Sequence, residues 1–296
     1  MFDGFSTHSL DTDRGPVHVR TGGSGPPLLC LHGYPETHLM WHAVAPTLAE
    51  RHTVVCADLP GYGDSHFPPA SEDHAGSSKR AMAADLVQAM AALDFDSFAV
   101  AGHDRGARVA YRMALDHPGA VERLAVMDVV PTADVWANAD ATFALGYWHW
   151  SFLAQAAPLP ERLIEAAPDA FFDTAIRRMG IDPDSPRYPE EVLDDYRRRM
   201  RDPSAIAAMC EDYRAGASVD RQHDEADRGR RIGCPTLVLW GTRGALPVFY
   251  DDVLEIWRGW ADDVRGRAVE ASHFLVEDRP DEVAGELLGF FAPGAV

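Results

Sequence analysis

The sequence carries little positive charge and almost no lysine. Its 296 residues include 27 lysines and arginines against 46 aspartates and glutamates, which gives a formal net charge of -19 at pH 7, and Lys79 is the single lysine. Nucleic acids and anionic membrane surfaces do not attract an acidic protein. We therefore expect neither nucleic acid nor a membrane as a partner.

Cysteine is also sparse, and long apolar runs are missing. Cys30, Cys56, Cys210 and Cys234 are scattered without the spacing of a zinc site or a disulfide framework, so no metal is expected. No apolar stretch reaches the length of a transmembrane helix. Residues 1–8 lack the basic region and apolar core of a signal peptide. The simplest expectation is a soluble, reduced, cytoplasmic protein.

Short apolar runs alternate with helical patterns over the first 130 residues. The runs typical of buried strands lie at residues 27–31, 53–57, 97–101 and 124–127. Helices are predicted at residues 41–50 and 78–93, the second from its single apolar face. Residues 17–20 predict a further strand, and the glycines of residues 22–25 predict a turn after it. Strands separated by helices indicate an α/β fold with a mostly parallel sheet flanked by helices.

This alternation stops after Val130. Residues 131–218 show no convincing strand; they are rich in aromatic side chains and then in charged helical stretches, and prolines mark the ends of segments. The α/β pattern resumes with a buried strand at residues 235–240, a helix from about residue 250 to residue 260 and a strand near residues 267–270. A final helix is predicted at residues 280–291.

The break indicates a helical insertion in one α/β core. We predict a first part of the core at residues 1–132, a helical cap at residues 133–218 and a second part of the core at residues 219–296. The cap would be inserted after the strand that ends near Asp128. A chain of this length with 46% hydrophobic residues suits one large domain with a sizeable insertion.

The pentad Gly102-His103-Asp104-Arg105-Gly106 lies between a predicted strand and a predicted helix. This is the setting of a nucleophile elbow, in which a serine usually stands between the two glycines. A carboxylate at that place attacks saturated carbon and forms an ester, which favours dehalogenation or epoxide opening over ordinary ester hydrolysis. A helix N-cap is the alternative use of Asp104, but an N-cap does not need the flanking glycines. We predict that Asp104 is the nucleophile.

A base and an acid complete the predicted catalytic set. Of the 13 histidines, His273 follows the last strand and precedes the final helix, which is the order nucleophile, acid, histidine of the elbow enzymes. Asp128 ends an apolar strand and is the predicted acid, with a helix N-cap as its alternative. The other usual place for the acid, the loop at residues 242–247, contains no carboxylate. Asp251 and Asp252 look like charges at a helix N-terminus.

Two further groups are expected around Asp104. The segment at residues 32–35 directly follows a buried strand, and its place suits an oxyanion hole with backbone N–H donors from Tyr34 and Arg105. Arg105 and Arg108 lie one helical turn apart and are expected to bind an anionic substrate through paired hydrogen bonds. A surface salt bridge is the alternative for Arg108.

His149, Trp150 and Tyr213 each carry an N–H or O–H donor at the end of an apolar body. Taken alone, they would be ordinary residues of a core or of the cap. The aspartate elbow makes a second interpretation possible, because a departing halide needs donors with few competing waters. These three residues are therefore candidates for halide binding.

With these residues, the chain resembles the fluoroacetate dehalogenases of the α/β-hydrolase superfamily. The motifs that carry the resemblance span essentially the whole chain, at residues 31–35, 58–65, 102–106, 149–150, 213 and 273. The resemblance implies the α/β-hydrolase fold. It also implies a catalytic set of Asp104, Asp128 and His273. The other implied site residues are the carboxylate-binding Arg105 and Arg108 and the fluoride-binding His149, Trp150 and Tyr213.

The resemblance implies a haloacetate dehalogenase that releases glycolate and halide through an aspartyl ester, without a cofactor or metal. Its partner would be a small anionic haloacid, and members of the family are commonly homodimers. An epoxide hydrolase is the first alternative; it needs two cap tyrosines, for which Tyr213 and Tyr147 are the candidates, and it leaves the two arginines unexplained. A non-catalytic ligand sensor on the same fold is the second alternative.

Overall fold

Eight strands form one sheet in the computed structural model, which describes residues 1–292. In chain order they are β1 (Ser6–Thr12), β2 (Gly15–Gly23), β3 (Pro27–Leu31), β4 (Thr53–Ala57), β5 (Phe98–His103), β6 (Val121–Met127), β7 (Thr236–Gly241) and β8 (Val264–Val269). Across the sheet they lie in the order β1-β2-β4-β3-β5-β6-β7-β8. Only β2 pairs antiparallel with its neighbours β1 and β4, so the prediction of a mostly parallel sheet is confirmed.

Helices connect and flank these strands throughout the part of the chain that the structure describes. They are α1 (Ala45–Leu48), α2 (Lys79–Ala91), α3 (Asp104–Asp116), α4 (Thr132–Ala137), α5 (Ala141–Gly146), α6 (Trp148–Leu153), α7 (Leu159–Ala166), α8 (Pro168–Met179), α9 (Glu190–Met200), α10 (Pro203–Ala217), α11 (Val219–Ala226), α12 (Leu246–Phe249), α13 (Val253–Arg258), α14 (Leu275–Asp278) and α15 (Pro280–Phe291). Single turns of 3-10 helix occur at His38–Trp41 and Ala75–Ser77. No helix of residues 1–292 combines the length and apolar character needed to cross a bilayer.

The centre of the sheet is the buried core. Every residue of β5 is buried, and β3 and β4 each expose part of only their first residue. Such continuous apolar strands are typical of parallel sheets that are covered on both faces. By contrast, β1 at the edge of the sheet exposes alternate residues. Its polar sequence gave no strand signal, and it was missed for that reason.

Two local expectations were wrong in detail. Residues 22–25 are not all part of a turn, because β2 continues through Gly22 and Gly23, which pair with β4. A Cβ at Gly22 would lie 2.6 Å from the ring of Phe5, so this glycine allows close packing. The helix expected at residues 41–50 is only α1, which begins at Ala45 because Pro46 occupies its first turn, the place where a proline fits a helix.

The chain between β6 and β7 contains helices α4 to α11 and no strand, within the described residues. Helix α10 packs against α6, α7, α9 and α11 and so lies at the centre of this helical segment. The parallel strands β3, β5, β6 and β8 have their carboxyl ends at the same edge of the sheet. In open α/β sheets, ligands bind outside that edge, which is where the candidate site residues meet.

Candidate active site

The turn between β5 and α3 presents Asp104 at the carboxyl edge of the sheet. Asp104 has a φ of 42°, in the left-handed region that non-glycine residues seldom adopt. A Cβ on Gly102 would lie 2.6 Å from the backbone of Gly106, and one on Gly106 would lie 2.4 Å from the carbonyl oxygen of His32. Both glycines are therefore needed for the close crossing of strand and helix that a nucleophile elbow requires.

The Asp104 carboxylate is buried and ionised. The backbone N–H of Tyr34 donates to its Oδ2 over 3.0 Å. Burial raises the pKa of Asp104, but the electrostatic effects of His273, Arg105 and His103 outweigh burial and lower the pKa to about 2. An ionised carboxylate in a site with little water has the electron pair that attack on carbon needs.

His273 and Asp128 form a direct pair. Nδ1 of His273 lies 2.5 Å from Oδ2 of Asp128, and both side chains are buried. The other carboxylate oxygen of Asp128 accepts the backbone N–H of Gly241 over 2.9 Å. Gly244 lies so close that a Cβ there would be 3.1 Å from both Asp128 oxygens. The loop that lacks a carboxylate of its own thus encloses Asp128, and the pairing leaves Nε2 of His273 available to a water molecule.

Arg105 is held by an aspartate that the sequence reasoning missed. Its Nε and Nη2 donate to the Asp212 carboxylate, each over 2.7 Å, and Nη2 also reaches the Asp212 carbonyl oxygen over 2.9 Å. Its third nitrogen, Nη1, is buried without a hydrogen-bond partner. Two sides of the guanidinium are therefore fixed, and one N–H-bearing nitrogen remains for a ligand.

Arg108 is arranged in a similar way. Its Nη1 donates to the carbonyl oxygen of Val130 over 3.0 Å and to Oγ1 of Thr132 over 3.2 Å, while its Nε is buried and has no partner. The guanidinium carbons of Arg108 and Arg105 lie 4.6 and 5.6 Å from the ring centroid of Trp150. The two arginines thus contact the same aromatic ring, and each has one unpaired buried donor.

Asp212 is the centre of a buried charged cluster. It accepts the Tyr62 hydroxyl over 2.6 Å and forms an ion pair with Lys79, whose ammonium also lies 3.5 Å from Asp220. The nearby cations of Arg105 and Lys79 hold the pKa of the Asp212 carboxyl well below its usual range, against the effect of burial. Buried lysine is rare unless it is paired. The single lysine of the chain was therefore the sequence signal that could have led to this cluster.

The three candidate halide donors lie close to one another, and the guanidinium carbon of Arg105 is 4.3 Å from the ring centroid of Tyr213. The ring centroids of His149 and Tyr213 are 5.9 Å apart, and those of Trp150 and Tyr213 are 6.0 Å apart. The ring of Tyr34 lies within 6 Å of His149 and of Tyr213. Burial lowers the pKa of His149 to about 3 and raises the pKa of Tyr213 well above its usual value. These groups are uncharged donors.

Tyr147 lies beside this aromatic group. Its ring centroid is 5.7 Å from that of His149 and 5.9 Å from that of Trp150. With His149 and His273 it lines a cavity of about 220 Å³, which also contacts Met179, Phe249 and the exposed Arg178. The second tyrosine of the epoxide alternative therefore lines the same cavity as the candidate base.

Within the described residues, one group of side chains has the composition of a metal site: His18, His38 and Asp58. The Asp58 carboxylate accepts backbone N–H groups from His38 over 2.7 Å and from Asp64 over 2.9 Å. His38 Nδ1 lies 2.9 Å from the same carboxylate. These hydrogen bonds shape the loop after β4, which accounts for the burial of Asp58 without a ligand.

Comparisons with known proteins give a consistent group of relatives. A family model described as the alpha/beta hydrolase fold matches residues 26–280. The chain is 42% identical over 292 residues to a fluoroacetate dehalogenase from Burkholderia sp, covering 99% of this chain and 95% of the relative. It is 31% identical to a soluble epoxide hydrolase from Corynebacterium sp. (strain C12), covering 94% of both proteins.

Solved structures agree over nearly the full length. A putative alpha/beta hydrolase from Nostoc sp PCC 7120 superposes with a TM-score of 0.96 at 44% identity, covering 99% of both chains. A mutant of a putative epoxide hydrolase from Pseudomonas aeruginosa, solved with bound MFA, superposes with a TM-score of 0.90 at 51% identity, covering 97% of this chain and 96% of the other. The relatives thus carry dehalogenase and epoxide hydrolase names.

Proposed function

Because the chain belongs to the α/β-hydrolase fold family, we propose that it is a hydrolytic dehalogenase that converts fluoroacetate or a related haloacetate to glycolate and halide. One observation carries the proposal. Arg105 and Arg108 are buried beside the Asp104 carboxylate, and each keeps a buried donor nitrogen without a protein partner. Unsatisfied buried donors cost free energy unless a ligand takes them. A substrate carboxylate would satisfy both.

In the first step, Arg105 and Arg108 hold the carboxylate of the haloacetate. An oxygen of Asp104 attacks the α-carbon in line with the carbon–halogen bond and forms an ester. The halide leaves with the bonding electron pair and is stabilised by the donors of His149, Trp150 and Tyr213. Because His149 is neutral, it offers a single N–H, so the three side chains supply three uncharged donors.

In the second step, Nε2 of His273 takes a proton from a water molecule while Asp128 orients the ring. The water oxygen attacks the carbonyl carbon of the Asp104 ester, and the backbone N–H groups of Tyr34 and Arg105 stabilise the oxyanion. The bond from that carbon to the glycolate oxygen then breaks. Glycolate leaves with the proton from His273, and the remaining proton of the attacking water passes from the Asp104 carboxyl to solvent, which restores the carboxylate.

We further propose that residues 133–218 act as a cap over this site and that the protein works as a cytoplasmic homodimer. The cap proposal is supported by α6 and α10, which carry His149, Trp150 and Tyr213 to the carboxyl edge of the sheet. The dimer follows from the family resemblance alone. Light scattering in solution tests it, and a monomeric mass would contradict it.

An epoxide hydrolase is a second candidate function, favoured by the position of Tyr147 near His149 and Trp150. Tyr147 and Tyr213 would then protonate the epoxide oxygen after attack by Asp104. This alternative gives no use to the unpaired nitrogens of Arg105 and Arg108. We therefore rank it below the dehalogenase.

The deciding experiment measures halide release from fluoroacetate, chloroacetate, 2-fluoropropionate and an uncharged haloalkane, together with diol formation from a neutral epoxide. We expect halide from the acids and little turnover of the neutral compounds. Diol formation faster than halide release would favour the epoxide hydrolase. Tight haloacetate binding without any turnover would indicate a ligand sensor.

A further inference from the structure

His103, the residue before the nucleophile, has acceptors at both ring nitrogens. It is fully buried. Its Nδ1 lies 3.1 Å from Oε2 of Glu36, and its Nε2 lies 2.9 Å from the backbone carbonyl oxygen of His273. A carbonyl oxygen only accepts, and a neutral imidazole carries one N–H. With Glu36 ionised, both contacts can be hydrogen bonds only when His103 carries two protons.

We propose that His103 is a positioning residue that is doubly protonated at neutral pH and links the loop of the base His273 to the oxyanion loop through Glu36. The same Oε2 of Glu36 also accepts the backbone N–H of Gly33 over 2.9 Å. Gly33 precedes Tyr34, whose N–H contacts Asp104. One imidazolium therefore connects the segments that carry the nucleophile, the oxyanion donor and the base.

The groups around His103 favour its positive charge. Glu36, Asp104 and Asp128 face it with negative charge, while the ring of His273 lies 4.7 Å away. Burial alone would remove the second proton, but these carboxylates outweigh burial and raise the pKa of His103 to about 9. The positive charge of His103 in turn helps to keep Asp104 ionised.

Glu36 is itself held from the far side. Oε1 of Glu36 and Oε2 of Glu277 are buried and have no hydrogen-bond partner. Burial and the neighbouring Glu36 raise the pKa of Glu277 well above its usual value, so a proton held by Glu277 would join the two carboxyl groups. The hydroxyl of Tyr196, on α9, donates to Glu277 over 3.2 Å. The hydrogen-bonded chain runs from the helical segment to the base.

The inference rests on the proposed function for the role of His273, but not for the charge of His103. The first test is therefore independent of activity. In protein labelled with ¹⁵N-histidine, NMR at pH 8 should show a ring with two protonated nitrogens, which is assigned to His103 by its loss in His103→Gln. A neutral, singly protonated His103 at pH 8 would overturn the proposal.

The second test addresses positioning. Glu36→Gln removes the carboxylate that faces Nδ1, and we expect slower hydrolysis of the Asp104 ester with a smaller effect on halide release in the first turnover. Small misplacement of a reacting group costs about tenfold to a hundredfold. Rapid-quench mass spectrometry should therefore show the ester accumulating. His52→Gln, which changes a buried histidine near Phe291, is the matched control and should show no accumulation.

The proposed function and the proposed role of His103 can fail independently in these tests. An imidazolium in the NMR spectrum with no halide release from any acid would refute the proposed function and leave the charge of His103 standing. Hydrolysis in Glu36→Gln at the wild-type rate would overturn the positioning role, even with the imidazolium present. If His103→Gln does not fold, Glu36→Gln still decides the positioning role, and the ¹⁵N shifts of the wild-type protein still decide the charge.

Discussion

The two sets of donors near the Asp104 carboxylate differ in their charge. One set is Arg105 and Arg108, held by Asp212 and by protein oxygens. The other set includes His149 and Tyr213, whose ionisation is suppressed by burial. A fixed positive charge suits a carboxylate, which is charged before, during and after the reaction. Neutral donors suit a halide, whose charge develops only as the bond breaks.

This difference divides substrate binding from catalysis. Contacts that are equally strong with substrate and transition state improve binding alone, whereas contacts that strengthen in the transition state raise the rate. In the proposed mechanism, the arginines therefore govern which molecules bind, and the aromatic donors govern how fast the halide leaves.

Replacement of the nucleophile should stop the reaction completely. In Asp104→Asn the amide does not form the ester, so we expect no measurable halide release from a folded protein. In the wild type, a single turnover in heavy-oxygen water should give unlabelled glycolate, because the first oxygen comes from Asp104. Label in that first product would mean that water attacks the substrate directly.

His273→Ala should separate the two steps. Asp104 should still displace the halide once, because the arginines and the aromatic donors are unchanged, but no base remains to activate water. We expect about one equivalent of halide and a stable adduct on Asp104 in the mass spectrum. Normal turnover without an adduct would contradict the role of His273.

Arg108→Leu should remove one charged hydrogen bond to the haloacetate carboxylate. Such a contact contributes roughly 1.5–3 kcal/mol, so kcat/KM should fall on the order of tenfold to a hundredfold. Arg105→Leu should cost more, because it also leaves Asp212 without its main partner. Arg112→Leu, on the same helix but paired with Asp116 and Asp227, is the control and should affect stability more than KM.

The neutral analogue haloacetamide sharpens this comparison. The wild type should process it poorly, since the amide carries no charge for the arginines. Equal turnover of haloacetamide and haloacetate would show that Arg105 and Arg108 do not select the anion.

Tyr213→Phe should have a smaller effect, confined to the step in which the halide leaves. Loss of one neutral hydrogen bond costs about 0.5–1.5 kcal/mol, which lowers kcat by roughly threefold to tenfold with little change in KM. The reduction should be larger for fluoroacetate than for bromoacetate, because fluoride needs more stabilisation as it leaves. A change in KM alone would show that Tyr213 contributes to substrate binding and not to the departure of the halide.

The smallest expected effect is that of pH on the first step. The pKa of Asp104 is lowered to about 2, so its carboxylate stays ionised above that value and is lost only as the pH falls toward it. Halide release in the first turnover should therefore stay level from pH 8 down to pH 5. A loss of the burst between these values would show that the pKa of Asp104 is raised above its ordinary value, not lowered.

The sequence predicted the parts of the site that follow from order along the chain. Asp104 stands between two glycines, and Asp128 and His273 each follow a strand, so their places at the carboxyl edge of the sheet could be predicted from local patterns. The alternating strands and helices likewise predicted the sheet. The proposed roles of these residues remain predictions.

Contacts between distant segments were not readable in the same way. Asp212 lies in an ordinary helical stretch, and its pairing with Arg105 spans 107 positions. The contact between His103 and the His273 carbonyl spans 170 positions and involves a backbone atom, which has no sequence signal at all. Strand β1 was missed because it lies at the edge of the sheet, where no apolar run is required.

The burial of Lys79 has a practical consequence for chemical labelling. Lys79 offers the chain's only side-chain amine, and its ammonium is enclosed by Asp212 and Asp220. Amine-directed reagents therefore have no lysine to modify on the surface of the folded protein. Reaction at this one position requires the segment to open, so the amount of label on Lys79 would report on the fraction of molecules in which this segment is open.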